Sequence, residues 1–228
     1  MNKSYKAVEK KKTAMESLSP EDILLNNCKR SNSIVERLAK DIYRLRVYKH
    51  AVEHASRIAV SGGLMFVCGN GGSWSDADHI AGELIGWYND KTRQRPSLPV
   101  IPLPPSPGAL TAIANDIGYE YVFSRPLSGF IRPVKKLKES GVDSVLLAFS
   151  TSGNSPNVVQ AAKLAYENKI QVVSFTGKTG GKLKKYSNYL LCVPSKETDR
   201  IQEIHHLMYH TLCEIVEEEM LQNMMREK

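Results

Sequence analysis

Five short apolar runs follow one another after Gly62-Gly63, and stretches with helical spacing fill most of the gaps between them. They occupy residues 64–68, 100–101, 144–149, 170–175 and 189–193. Their apolar character is continuous rather than alternating, which suits strands buried on both faces. Parallel strands need crossover connections, so this alternation predicts a mostly parallel sheet wrapped by helices, an α/β fold. Helices are expected from about residue 73 to 88, from 156 to 168, and from about 199 to past 220. A proline cluster at 96–107 interrupts the pattern, and there is no internal repeat or low-complexity block.

The N-terminal quarter reads as helix alone. Ser19-Pro20-Glu21-Asp22 is a start signal: a cap candidate, proline in the first turn, then acids facing the positive end of the dipole. Ile34, Val35, Leu38, Ile42, Leu45 and Val52 then recur at helical spacing, which predicts one or two amphipathic helices down to about residue 60. Residues 1–19 form a polar, lysine-rich lead-in, and residues 20–228 are expected to form one domain that includes these helices.

The composition excludes several classes. With 42% hydrophobic and 24% charged residues in 228, the chain is neither disordered nor fibrous. The stretch 58–69, the longest nearly free of polar side chains, is too short to cross a bilayer. The lysines at the N-terminus precede no apolar segment of the secretory kind, so a cytoplasmic protein is expected. Of the net charge of +7, residues 1–50 carry 12 Lys/Arg against 6 Asp/Glu, and the rest is nearly neutral. That distribution describes a solvated tail or helix face, not a nucleic-acid reader. Cys28, Cys68, Cys192 and Cys213 contain no C-x-x-C pair, so reduced thiols are expected.

Small polar turns close three of the strands: Cys68-Gly69-Asn70-Gly71-Gly72-Ser73, Ser150-Thr151-Ser152-Gly153-Asn154-Ser155 and Thr176-Gly177-Lys178-Thr179-Gly180-Gly181. Ligands of open α/β sheets bind outside the carboxyl ends of the strands. Glycines there expose backbone N–H groups, and the following helix adds its positive end, so a phosphate can be held without a lysine cluster. Trp74 breaks the dinucleotide fingerprint, and Val172 stands where a P-loop needs glycine. A second constellation is His79 and Glu83, one turn apart on a helix face, with Gln202, His206 and His210 sharing a face of the last helix and His205 beside them. Such groups bind a divalent ion or supply an acid/base pair. Asp199 and Gln202 also have capping-box spacing.

The ordered motifs C-G-N-G-G-S, D-H-I-A-G-E-L at 78–84, A-N-D at 114–116, S-T-S-G-N-S at 150–155, F-T-G-K-T-G-G at 175–181 and D-R-I-Q-E-I-H at 199–205 resemble those of phosphoheptose isomerases over roughly residues 20–222. The resemblance implies the flavodoxin-like sugar isomerase (SIS) fold: a three-layer sandwich of mostly parallel sheet flanked by helices, with an N-terminal helical pair. It implies homotetramers with active sites at subunit interfaces and conversion of sedoheptulose 7-phosphate to D-glycero-D-manno-heptose 7-phosphate, which feeds lipopolysaccharide or other heptose synthesis. Carried over by position, Glu83 is the proton-abstracting base and His210 its acid/base partner. His79, Glu83, Gln202 and His210 match a zinc set. Asn70, Gly71, Gly72, Ser73, Ser150, Thr151, Ser152 and Ser155 match sugar-phosphate contacts, while Asn115, Asp116, Asp199 and Gln202 match positions near the sugar. His206 lies outside that set.

Two alternatives stay open on the sequence. One is an isomerase of another phosphosugar: Trp74 replaces a usual His, Trp87 a usual Arg, and the segment Pro102 to Pro107 a more polar loop. The other is a non-catalytic SIS protein that binds the bacterial replication initiator; a relative of that kind lacks the counterparts of Glu83 and His210, both present here.

Overall fold

The computed structural model describes residues 19–89 and 95–226; most of the lysine-rich lead-in therefore lies outside the described residues. Two helices open the fold, α1 (Pro20–Lys40) and α2 (Ile42–Val60). The capping box at Ser19 starts α1, with Asp22 N–H donating to Ser19 Oγ at 3.1 Å and Ser19 N–H to Asp22 Oδ2 at 3.3 Å. Asp41 separates the two: its N–H donates to Leu38 O at 3.1 Å, and its carboxylate accepts from Arg44 N–H at 3.0 Å to begin α2.

Next come β1 (Met65–Cys68), α3 (Gly72–Ile85), β2 (Val100–Pro102), α4 (Pro107–Asp116), α5 (Ser124–Ser128) and α6 (Ile131–Glu139). The chain finishes with β3 (Val145–Ser150), α7 (Pro156–Glu167), β4 (Gln171–Thr176), β5 (Tyr189–Cys192) and α8 (Thr198–Arg226). The strands pair in parallel in the order β2-β1-β3-β4-β5, with Met65 opposite both Val100 and Val145, Val145 opposite Gln171, and Val173 opposite Tyr189.

Side chains alternate between two cores. Met65, Val67, Val145, Leu147 and Phe149 pack with α2, α3 and α8 through Val52, Ile80, Leu84, Ile204 and Leu212. Phe66, Cys68, Leu146 and Ala148 pack on the opposite face with Phe123, Leu127, Val158 and Ala161. Strands β1 and β3 are almost wholly apolar because both faces are dry, whereas β4 carries Gln171, Ser174 and Thr176 among its apolar residues. The layered parallel sheet agrees with the expected fold class. Departures are local: α3 stops at Ile85 rather than near residue 88, and the proline cluster runs directly into a helix. Ser106 caps α4 by accepting from Ala109 N–H at 3.1 Å, with Pro107 in its first turn.

Candidate active site

Strand order reverses its progression at β1 and β3, so a crevice opens at their carboxyl ends. Helices α3 and α7 start there, and neither is capped by a side chain. Gly71 has none to offer, and Ser155 Oγ lies 3.1 Å from Ser150 Oγ instead. Ser73, Trp74 and Val158 N–H groups are taken by Asn70 O, Gly71 O and Asn157 Oδ1, so the Gly72 and Asn157 N–H groups are the ones left to meet an anion, with both dipoles behind them. Asn70 and Asn157 exchange amide hydrogen bonds of 2.8 Å, and Tyr119 Oη donates to Asn70 Oδ1 at 3.0 Å, tying the two helix starts together. Ser73 is buried in the first turn of α3.

The hydroxyl loop 150–155 is pinned from within and from below. Gly153 N–H donates to Ser150 O at 2.9 Å, Asn154 N–H to Ser152 Oγ at 3.1 Å, and Gly177 N–H to Thr151 O at 2.9 Å. The third glycine turn thus supports the second. Gly153 has φ +67°, and a Cβ there would stand 2.2 Å from Gly180 O. Gly153→Ala should cost more than about 2 kcal/mol, read as a lowered urea midpoint, and should weaken phosphate binding with it. Parent-like values on both counts would contradict the packing described.

Helices α3 and α8 bring the histidines together. His79 Nε2 is 2.9 Å from Glu83 Oε1, on the one-turn spacing of α3. His79 Nδ1 is 3.0 Å from Tyr209 Oη, which is also 2.7 Å from His206 Nδ1. Ring centroids of His79 and His210 are 5.1 Å apart, and those of His206 and His210 4.1 Å. Glu83 and His210 therefore both stand against His79. Burial, then the neighbouring imidazoles, hold His206 and His210 below the ordinary histidine range, while Glu83 pulls His210 the other way. His205 faces away, wholly buried between Phe149 and Phe175 with Nε2 3.2 Å from Thr176 O, and burial lowers its pKa to about 4.

Asp76 lies one turn before His79 and is buried, with Oδ2 unpartnered. Burial pushes its carboxyl up to about 6 from 3.8, while His79 pulls the other way. The unfolded chain ionises first as pH rises past 4, so a stability cost builds between pH 4 and 6 and persists above, reaching about 3 kcal/mol. In EDTA-treated protein, Asp76→Asn should gain stability relative to the parent by up to that amount between pH 4 and 7.5. A difference independent of pH in urea titrations would contradict it.

Arg95 fastens the end of the Glu83 helix. Its guanidinium donates to Leu84 O at 2.9 Å and Glu83 O at 3.0 Å, and Nε stands 3.3 Å from Glu217 Oε1, an ion-pair distance without hydrogen-bond alignment. Glu217 also accepts from Tyr88 N–H and Asn89 N–H, each at 2.8 Å.

Other candidates lie further out. The Gln202 amide presses against the start of α3, where a Cβ on Gly72 would meet Nε2 at 2.4 Å. Asp199 is inside the first turn of α8, bonding Arg200 N–H at 2.8 Å, so the capping box with Gln202 does not form. Asn115 and Asp116 pair with each other at 2.7 Å on the exposed end of α4. Trp74 packs beside Phe123 against the second core, and Trp87 Nε1–H donates to Arg95 O at 3.1 Å. Tyr209 and Asp76 were not signalled by the sequence, and His206 was signalled only by its helix face.

Ring nitrogens of His79, His206 and His210 lie within 4.8 Å of one another, with the Glu83 carboxylate on His79. His210 Nε2 is buried and has no hydrogen-bond partner. Imidazoles plus a carboxylate, with one nitrogen left orphaned, fit a borderline divalent cation such as zinc.

The SIS domain model matches residues 28–177. A phosphoheptose isomerase of Aneurinibacillus thermoaerophilus is 37% identical over 204 residues, covering 89% of this chain and 96% of that protein. One of Aliarcobacter butzleri is 42% identical over 189 residues, or 81% and 92%. The solved phosphoheptose isomerase of Neisseria gonorrhoeae superposes with a TM-score of 0.71 at 32% identity, over 88% of this chain and all 100% of that one. Turns, helices and imidazole cluster thus lie within a chain that matches these relatives over most of its length, and the chain belongs to the SIS-domain family, among the phosphoheptose isomerases.

Proposed function

We propose that this chain is an aldose–ketose isomerase that converts sedoheptulose 7-phosphate to D-glycero-D-manno-heptose 7-phosphate through an enediol. The observation that carries the reading is that Glu83 and His210, on two helices, both stand against His79, in a chain 37% identical over 204 residues to a phosphoheptose isomerase. The uncapped starts of α3 and α7, with Ser73 and the loop Ser150, Thr151, Ser152 and Ser155, hold the phosphate. Glu83 takes the proton from one carbon and returns it to the next. His210 handles the oxygen-bound proton; its lowered pKa leaves it able to accept one at pH 7.

His79, Glu83 and His210 would hold zinc, with Gln202 completing the set once its amide turns from the start of α3 toward them and His206 left to the substrate. Bound there, the ion supplies Lewis-acid stabilisation of the oxygens that gain charge in the enediolate. Glu83 serves both the ion and the proton, so its side chain shifts during turnover. The protein works as a cytoplasmic homotetramer; exposed Leu24, Leu25, Ile42 and Tyr43 on α1 and α2 support assembly through the helical pair. Among the described residues, no helix is long and apolar enough to cross a membrane.

Zinc analysis beside turnover assays tests the reading. Sedoheptulose 7-phosphate should be turned over with the highest kcat/KM, ahead of hexose and pentose phosphates, and activity should fall on chelation and return with zinc. A hexose or pentose phosphate as the preferred substrate would overturn the assignment.

A further inference from the structure

Tyr209 is wholly buried, and its hydroxyl touches two imidazoles at once, His79 Nδ1 at 3.0 Å and His206 Nδ1 at 2.7 Å. A phenol has a single hydrogen. It donates that hydrogen to one ring and accepts an N–H from the other, since accepting from both would strand the buried hydroxyl hydrogen without a partner. The ring that receives the hydroxyl hydrogen carries its own on Nε2; the ring that gives Nδ1–H has a bare Nε2. While both contacts stand, the two neutral rings cannot present the same nitrogen.

Glu83 sets the direction. A carboxylate only accepts, so the 2.9 Å contact puts the hydrogen of His79 on Nε2. His79 Nδ1 then accepts from Tyr209, Tyr209 accepts from His206 Nδ1–H, and His206 Nε2 is left with a free lone pair. A cation on His79 Nε2 reverses every link: the ring hydrogen moves to Nδ1 and is donated to Tyr209, whose own hydrogen turns to His206 Nδ1. His206 then offers Nε2–H.

We propose that Tyr209 is a positioning residue that holds His79 and His206 in opposite tautomers, so that loading His79 with a cation converts His206 from an acceptor to a donor at Nε2. The His206 ring centroid is 5.2 Å from that of His79 and 4.1 Å from that of His210, which places this donor beside the groups assigned to the reaction. In the isomerase reading, on which its use rests, it would hydrogen-bond the sugar oxygen that gains charge. The arrangement also separates the roles of the histidines: His79 and His210 hold the ion, and His206 serves the substrate.

Histidine ¹⁵N shifts report tautomers directly. They would be recorded at pH 8 on the full chain, zinc-free and zinc-loaded, with Tyr209→Phe alongside and rings assigned by single histidine substitutions. The two rings should be opposite in both states. Zinc-free His206 should favour Nδ1–H on the order of tenfold, the worth of one net hydrogen bond, and zinc should invert it. In Tyr209→Phe, which fills the same buried volume, His206 should lose that preference and ignore zinc. Equal tautomers on the two rings in the wild-type chain overturn the proposal without recourse to the variant, as does a variant that behaves like the parent. Turnover on the same samples separates the questions: opposite tautomers without isomerase activity remove only the functional reading, and equal tautomers with full activity remove only this one.

Discussion

Glu83→Gln should lose at least about a thousandfold in kcat while the protein folds and binds sedoheptulose 7-phosphate nearly as before. Glutamine is isosteric, and its amide oxygen can still accept from His79 Nε2, so the 2.9 Å contact on α3 survives the change. Arg95 bonds the backbone carbonyl of residue 83, not its side chain, and is untouched. The uncapped helix starts and the hydroxyl loop assigned to the phosphate lie on other turns. What disappears is the ability to take a proton from carbon, and with it the charged oxygen Glu83 would offer zinc, so parent and variant are compared at equal zinc content. Loss should therefore fall on kcat, with KM and the calorimetric affinity for substrate changed by only a few-fold. A variant with full turnover would end the assignment of Glu83 as base.

Glu217→Ala carries the second large effect, this time on stability. Arg95 has a fully buried guanidinium whose positive charge faces carbonyl oxygens at the end of α3, and Glu217 is the carboxylate beside it at 3.3 Å. Removing one partner of a buried pair leaves an uncompensated charge in low dielectric, which costs about 3–5 kcal/mol. Two backbone donors, Tyr88 N–H and Asn89 N–H, lose their acceptor as well. A domain is stable by only about 5–15 kcal/mol, so the variant should unfold at a markedly lower urea concentration. Replacing both partners, Arg95→Met with Glu217→Leu, should recover much of the loss, because an apolar pair removes the charge together with its counter-charge. A Glu217→Ala protein with the parent's midpoint would show that the clamp contributes nothing.

The sheet is legible in the sequence because the dry environment on both faces of its central strands leaves them mostly apolar. Met65 and Val67 enter one core, Phe66 and Cys68 the other, and no polar side chain is tolerated at any of the four. Caps made α1 legible, since Ser19 and Asp22 lie three residues apart and act through local hydrogen bonds. Helices α4, α5 and α6 were not, because α4 buries no residue and begins inside a proline cluster, which hides its periodicity. In the site, Glu83 and His79 are visible as a one-turn pair on α3. Tyr209 is not: a buried aromatic on a long helix reads as core, and the ring it bonds on α3 is 130 positions away. The same distance effect hides Arg95 and Glu217, whose pairing depends on how α8 crosses the end of α3. Local rules expose the parts of the site; only packing shows which parts touch.

The central claim is that Glu83 moves a proton between adjacent carbons of a ketose phosphate. Its most direct test is proton NMR of sedoheptulose 7-phosphate incubated with the zinc-loaded protein in D₂O over extended turnover. The account predicts the aldose heptose phosphate with deuterium at C2, deuterium entering C1 of the remaining ketose, and neither signal with Glu83→Gln. Aldose or deuterium appearing as fast with Glu83→Gln as with the parent would contradict it.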